Sequence, residues 1–148
     1  MTRPPVAFSH RPEDQQAITR LLYRYARAVD TRNVEALAAC FYQGRVTFID
    51  TPVAVESAHH CVEILASMFD WTMHNVFNHL FEVEGDQATG VTYCVASHVK
   101  TEEGVSVKHD WYLQYHDTLV RAGDDWVFQS RRLQVDYIST VPVVAAGR

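Results

Sequence analysis

From Pro12 onward, apolar positions recur at intervals of three and four: Ile18, Leu21, Leu22, Tyr25 and Val29. That spacing predicts an amphipathic helix ending at Asp30, with Pro12, Glu13 and Asp14 suited to its first turn. Asn33 reads as the N-cap of a shorter helix over Val34–Phe41. Arg45–Asp50 reads as a short strand, closed by Thr51-Pro52. A third helix is expected over about Val55–Met68, with Val55, Ala58, Val62 and Leu65 on one face. After Trp71 the period changes to two. Strand-like runs cover 72–84, 87–100, 106–121 and 125–139, separated by Glu84-Gly85-Asp86, Glu102-Glu103-Gly104 and Gly123-Asp124-Asp125. Strands joined by such short links pair as an antiparallel meander. Helices first and a meander second predict one α+β domain, its helices packed on a curved, mostly antiparallel sheet. The domain is read as 12–139, after an extended arm over 1–11 that contains Pro4 and Pro5. The tail 140–148 is apolar enough to cover a pocket mouth or a neighbouring subunit.

Strict alternation assigns faces to the strands. His74, Val76, Asn78 and Leu80 share one face of the first long strand, and Met73, Asn75, Phe77, His79 and Phe81 the other. Thr92, Cys94, Ala96 and His98 align on the second strand, and His109, Trp111, Leu113, Tyr115 and Asp117 on the third. On the fourth, Trp126, Phe128 and Arg132 fall on one face, with Val127, Arg131, Leu133 and Tyr137 on the other. Both faces are fairly apolar, so one is expected to pack the helices and the other a partner subunit.

Composition narrows the function classes. Thirteen basic against eighteen acidic residues give a formal charge of −5, with no basic cluster to attract phosphates, so nucleic acid is not an expected partner. No window reaches the length of a membrane span, and the first residues lack the long apolar core of a signal peptide. Three cysteines, Cys40, Cys61 and Cys94, form no C-x-x-C pair and sit in apolar company. They read as buried, inert thiols of a cytoplasmic protein.

Few residues remain for chemistry. His74 is an imidazole on a mostly apolar strand face, and Asp30 is an acid at a helix end. Each alone reads as readily as a core or turn residue. Together they form a known device: a buried carboxylate fixes the tautomer of an imidazole and raises its basicity. His59 and Glu63 lie one helical turn apart without a clear third ligand, so metal binding is not expected. No Gly-rich phosphate loop, dinucleotide fingerprint or nucleophile elbow is present, and a cofactor-free site is the consistent expectation.

The run Ala17-Ile18-x-x-Leu21-Leu22-x-x-Tyr25-Ala26-x-x-x-Asp30, then Asn33-Val34-x-Ala36-Leu37, resembles the opening of SnoaL-like proteins of the nuclear transport factor two-like superfamily. His74-x-x-x-Asn78, Glu84-Gly85-Asp86-x-Ala88, Tyr93-x-x-Ala96-x-His98 and the run from Tyr115 through Trp126 to Arg131 extend the likeness over residues 13 to 137. The resemblance implies a cone-shaped half-barrel whose helices and concave sheet enclose a pocket, with Asp30 and His74 pointing into it. In dehydratase and dehydrochlorinase relatives a matching Asp-His pair abstracts a proton during elimination.

By the same resemblance Tyr25 is placed to hydrogen-bond a substrate oxygen, or else packs the helix face. His98 is a second acid for a departing hydroxide, or else structural. Arg131 would neutralise Asp30, bind an anionic group, or form a structural ion pair. Asn78 would orient a carbonyl or satisfy backbone groups, while Trp111, Tyr115 and Phe48 form pocket wall or core. The implied function is a cofactor-independent lyase or isomerase acting on a small hydrophobic cyclic substrate, in a homodimer or homotrimer. Aldol-type polyketide cyclisation begins with the same proton abstraction, and a non-catalytic ligand-binding or assembly module is the alternative of a different kind.

Overall fold

The computed structural model describes residues 11–51 and 54–146. The reading of 1–10 as an extended arm, and the last two residues of the tail, lie outside them. The element order is α1 (Pro12–Asp30), α2 (Val34–Ala39), a single 3-10 turn (Tyr42–Gly44), β1 (Phe48–Ile49), α3 (Ala58–Met68), β2 (Trp71–Glu84), β3 (Gln87–Glu102), β4 (Val105–Ala122) and β5 (Asp125–Val143). The five strands form one open, curved sheet in the order β1-β5-β4-β3-β2. Strands β2 to β5 are antiparallel neighbours, and only the short β1 runs parallel to β5. None of the described helices is long and apolar enough to cross a membrane.

The helices form where the pattern predicts them. In α1 the stripe Ile18, Leu21, Leu22, Tyr25 and Val29 is buried, with Pro12 at the start and Glu13 and Asp14 in the first turn. Asn33 caps α2 by accepting a 2.9 Å hydrogen bond from the Ala36 amide. The third helix begins three residues later than expected. The Ser57 hydroxyl accepts from the His60 amide and caps the helix there, so Val55 lies before it in the loop. Strand β5 continues past residue 139, because Thr140 to Val143 pair with Ser106 to His109.

The sheet departs from simple alternation at three places. In β2, Val76 pairs with Cys94 and His79 with Thr92, so Phe77 and Asn78 together oppose Tyr93. This bulge exchanges the two faces. Thr72, His74 and Val76 face inward before it, and His79, Phe81 and Val83 after it. In β5, Gln129 is the extra residue between Phe128 and Ser130, and Asp136 the extra one between Val135 and Tyr137. The first of these puts Arg131 on the same face as Trp126 and Phe128, and Arg132 on the opposite one, reversing the sequence reading. The second sends Tyr137 outward to stack on Tyr112, with ring centroids 4.4 Å apart.

The core lies between α1 and the concave face, around Leu119, Trp126 and Phe128, which are fully buried. Close by, Gly90 has no side chain because the Phe81 ring and the Leu80 carbonyl occupy the space a Cβ would need.

Candidate active site

Asp30 is the last residue of α1, where the helix dipole disfavours a negative charge. It is held by donors from the neighbouring strand. The Nδ1–H of His74 donates to Oδ1 at 2.7 Å, the His74 amide to Oδ2 at 2.8 Å, and the Thr72 hydroxyl to Oδ1 at 3.0 Å. The chain turns away from α1 through Arg32 in the left-handed region, φ 56°. From there its guanidinium reaches back to donate to Thr72 Oγ1 and the Val29 carbonyl, both at 2.8 Å. Burial works against the charge on Asp30. The hydrogen bonds and positive potential from His74 outweigh it and keep the carboxyl below its ordinary range.

With Nδ1 committed to Asp30, Nε2 is the nitrogen of His74 that remains for chemistry. The ring forms part of the wall of a cavity of about 500 Å³ between the helices and the concave sheet. Asp30 is not part of that wall. It sits behind His74, bordering a surface groove between α1 and β2 that His74 also touches. This corrects the expectation that both residues point into the pocket.

Tyr25, Phe48, His98, Trp111 and Tyr115 line the same cavity. Tyr25 is edge-on to His74, with centroids 6.4 Å apart, and to Tyr115 at 5.9 Å. Burial raises the pKa of both phenols, so each stays protonated at neutral pH. His98 is stacked on Phe69 and on Trp111, each 4.5 Å between centroids, and its Nδ1–H donates to the His109 carbonyl at 3.3 Å. Burial, reinforced by His74, lowers its pKa to about 4. At neutral pH it is therefore an uncharged imidazole, not the second acid of the sequence reading.

Two expected site residues lie elsewhere. Asn78 sits in the β2 bulge and is exposed, because the extra residue turns it away from the face His74 occupies. Arg131 does not neutralise Asp30 and does not line the cavity. It makes a two-pronged contact to Asp117, Nε to Oδ1 at 2.7 Å and Nη2 to Oδ2 at 2.9 Å, with both groups fully buried. Its guanidinium lies against the faces of Tyr25, Tyr115 and Phe128, 4.2, 3.7 and 4.1 Å from their centroids. Burial opposes charge on both partners. The carboxylate contact wins for Arg131, whose pKa is raised, while burial wins for Asp117, whose pKa is raised as well.

The sequence reading missed Phe69 and the inward side of α3, where Cys61, Leu65 and Met68 complete the wall. Their spacing of four and three was a visible helical signal, but nothing in it distinguished cavity lining from core. All three cysteines are free and buried, as expected, and burial raises each thiol.

An open cone of helices on a curved sheet, with an apolar chamber between them, defines the nuclear transport factor two-like fold. Residues 10–132 match the SnoaL-like domain, and the chain belongs to that family. A candidate scytalone dehydratase from Novosphingobium aromaticivorans is 25% identical, with a TM-score of 0.69 over 89% of this chain and 90% of that one. A Mycobacterium tuberculosis protein of unknown function is 25% identical, with a TM-score of 0.67 over 82% and 76% of the two chains. The type-3 hexachlorocyclohexane dehydrochlorinase LinA of Novosphingobium barchaimii is 17% identical, with a TM-score of 0.70 over 89% and 91%, a likeness of fold alone. Among curated proteins none matches the chain in sequence.

Proposed function

We propose that the protein is a cofactor-independent lyase of the dehydratase type, acting on a hydrophobic cyclic substrate. The observation that carries this reading is the 2.7 Å contact between Asp30 and His74 Nδ1, with the same ring opening onto an apolar cavity. His74 Nε2 removes a proton from a carbon next to a carbonyl. The C–H electron pair becomes the new double bond as the C–O bond to the leaving hydroxyl breaks. The departing hydroxide takes the proton back from the His74 imidazolium, which restores the neutral ring, while neutral Tyr25 hydrogen-bonds the leaving oxygen, and water departs. Asp30 positions the ring and balances the imidazolium charge, a role that lies outside the cavity. Similarity to a candidate scytalone dehydratase supports elimination over other outcomes of the same step. Double-bond isomerisation and aldol cyclisation share that first step and differ only in where the electrons go next.

Proton abstraction can be read without the natural substrate. Exchange of the α-hydrogens of 1-tetralone in D₂O, followed by proton NMR, should be accelerated by the protein. It should fall by about 10²- to 10⁴-fold in His74→Ala and in Asp30→Asn, with circular dichroism unchanged. Bound ketone with no catalysed exchange, or equal exchange in both variants, would sink the proposal in favour of a ligand-binding module.

A further inference from the structure

Asp30 carries its charge in an unfavourable place, half-buried at the C-terminal end of α1, where the helix dipole repels an anion. Besides His74, the donor that reaches it is Thr72, which precedes His74 by two positions on β2 and so shares its inward face. Arg32, two positions after Asp30, donates in turn to Thr72 Oγ1 at 2.8 Å. The direction of each bond follows from the groups themselves. A guanidinium only donates and a carboxylate only accepts, so the Thr72 oxygen accepts from Arg32 and its single hydrogen goes to Asp30 Oδ1. That same oxygen takes the His74 Nδ1–H at 2.7 Å. Thr72 is buried and Arg32 half-buried, and a hydroxyl polarised by a cation in such a setting donates more strongly.

Resting on the proton-abstracting reading above, we infer that Thr72, backed by Arg32, is a positioning residue that sets the basicity of His74 through Asp30. It holds Oδ1 against Nδ1 and draws negative charge off that oxygen. Without the hydroxyl, Oδ1 has one donor fewer, and more of its charge falls on the imidazole. The protonated ring gains more from that charge than the neutral one, so the base holds its proton more tightly and turns over less readily. Among the described residues, the other ionisable groups facing the ring are Tyr25 on α1 and His98 on β3, with the Cys61 thiol of α3 on the same cavity. Tyr25 and Cys61 are raised by burial and His98 is neutral above about pH 4, so none of the three changes charge near neutrality. The chain from Arg32 to Asp30 is therefore what adjusts the base.

The test is an NMR titration of the histidine rings in ¹⁵N-labelled protein, with the His74 signals identified by their loss in His74→Gln. Thr72→Val keeps the side-chain shape and the strand preference while removing the hydroxyl. It should raise the His74 titration midpoint by about 0.5 to 1 pH unit over the parent protein. The high-pH plateau of 1-tetralone exchange should fall about 10-fold as the ring loses its fixed orientation. Thr72→Ser, which returns the hydroxyl, should restore both. Arg32→Met leaves the hydroxyl in place and should move the midpoint in the same direction by a smaller step, a reading that stands even if Thr72→Val does not fold. A purely structural Thr72 would lower the unfolding midpoint and leave the titration of His74 unmoved in both variants, and that result overturns the assignment. A Thr72→Ser protein that titrates like Thr72→Val overturns it too. The titration needs no substrate, so the two readings fail separately. A shifted midpoint in a protein that exchanges no ketone removes only the lyase chemistry, and normal exchange with an unmoved midpoint removes only the role of Thr72 and Arg32.

Discussion

Arg131 and Asp117 are both sealed from water and joined through two hydrogen bonds, while three aromatic rings close around the cation. Such a pair is costly to bury and costlier to break. Arg131→Met should destabilise the protein by about 3–5 kcal/mol in urea unfolding, because Asp117 is left charged and alone. Adding Asp117→Leu should restore most of the loss. The identity of Arg131 as a buried, paired residue was among the readings its sequence position allowed, but its partner was not. Asp117 lay on the alignment of the third long strand, whereas Arg131 was assigned to a different face from Trp126. Asp30 and His74 were legible as chemistry only through the family likeness, since 44 residues separate them and nothing local predicts their contact. Thr72, which donates to the carboxylate, and Arg32, which donates to Thr72, carried no signal at all. A hydroxyl and a guanidinium near a turn are ordinary surface chemistry until the fold brings them inward.

Helix boundaries were readable because each depends on a few adjacent residues: Pro12 at the head of α1, Asn33 capping α2. Strand faces depend on counting, and a single inserted residue defeats the count. The extra residue at Phe77–Asn78 leaves the hydrophobic run of β2 looking continuous, so Asn78 seemed to share a face with His74. Gln129 did the same for Arg131 in β5. Gly90 marks another point where the sheet depends on a local detail. The Phe81 ring, turned inward by the β2 bulge, packs where a Cβ would stand. Gly90→Ala should therefore cost about 1–3 kcal/mol in thermal or urea unfolding, since the ring or the strand must move. An unchanged midpoint would mean that Phe81 has room to rotate away.

For the molecule as a whole, acid should be the sensitive direction. Asp14 is held below the usual carboxylate range, chiefly by its hydrogen bond from Arg121 and despite burial. Asp30 and Asp125 are lowered too, with hydrogen-bond partners outweighing burial in each. A lowered folded pKa means that the unfolded chain binds protons first. The stabilisation is complete above the unfolded value of about 3.9 and is lost as pH falls through the folded values. Urea midpoints should thus hold near neutrality and fall below about pH 4. Asp14→Asn should lower the neutral midpoint and flatten the acid limb. Midpoints that rise on acidification would contradict the assignment. Asp117 works in the opposite sense, since its raised pKa favours protonation in the folded state, and it tempers the slope.

The bulge in β2 has a consequence beyond the direction of side chains. β2 is the last strand of an open sheet, and Met73, Phe77 and Leu80 are exposed along it. A straight, apolar rim of unpaired amides would invite a strand from another chain to add on and grow into an aggregate. The doubled position at Phe77 and Asn78 breaks the regular spacing of that rim midway, so that an incoming strand in register with one half falls out of register with the other. The irregularity that turns His79 and Phe81 inward thus also interrupts the rim on which a second copy of the chain would add as a strand.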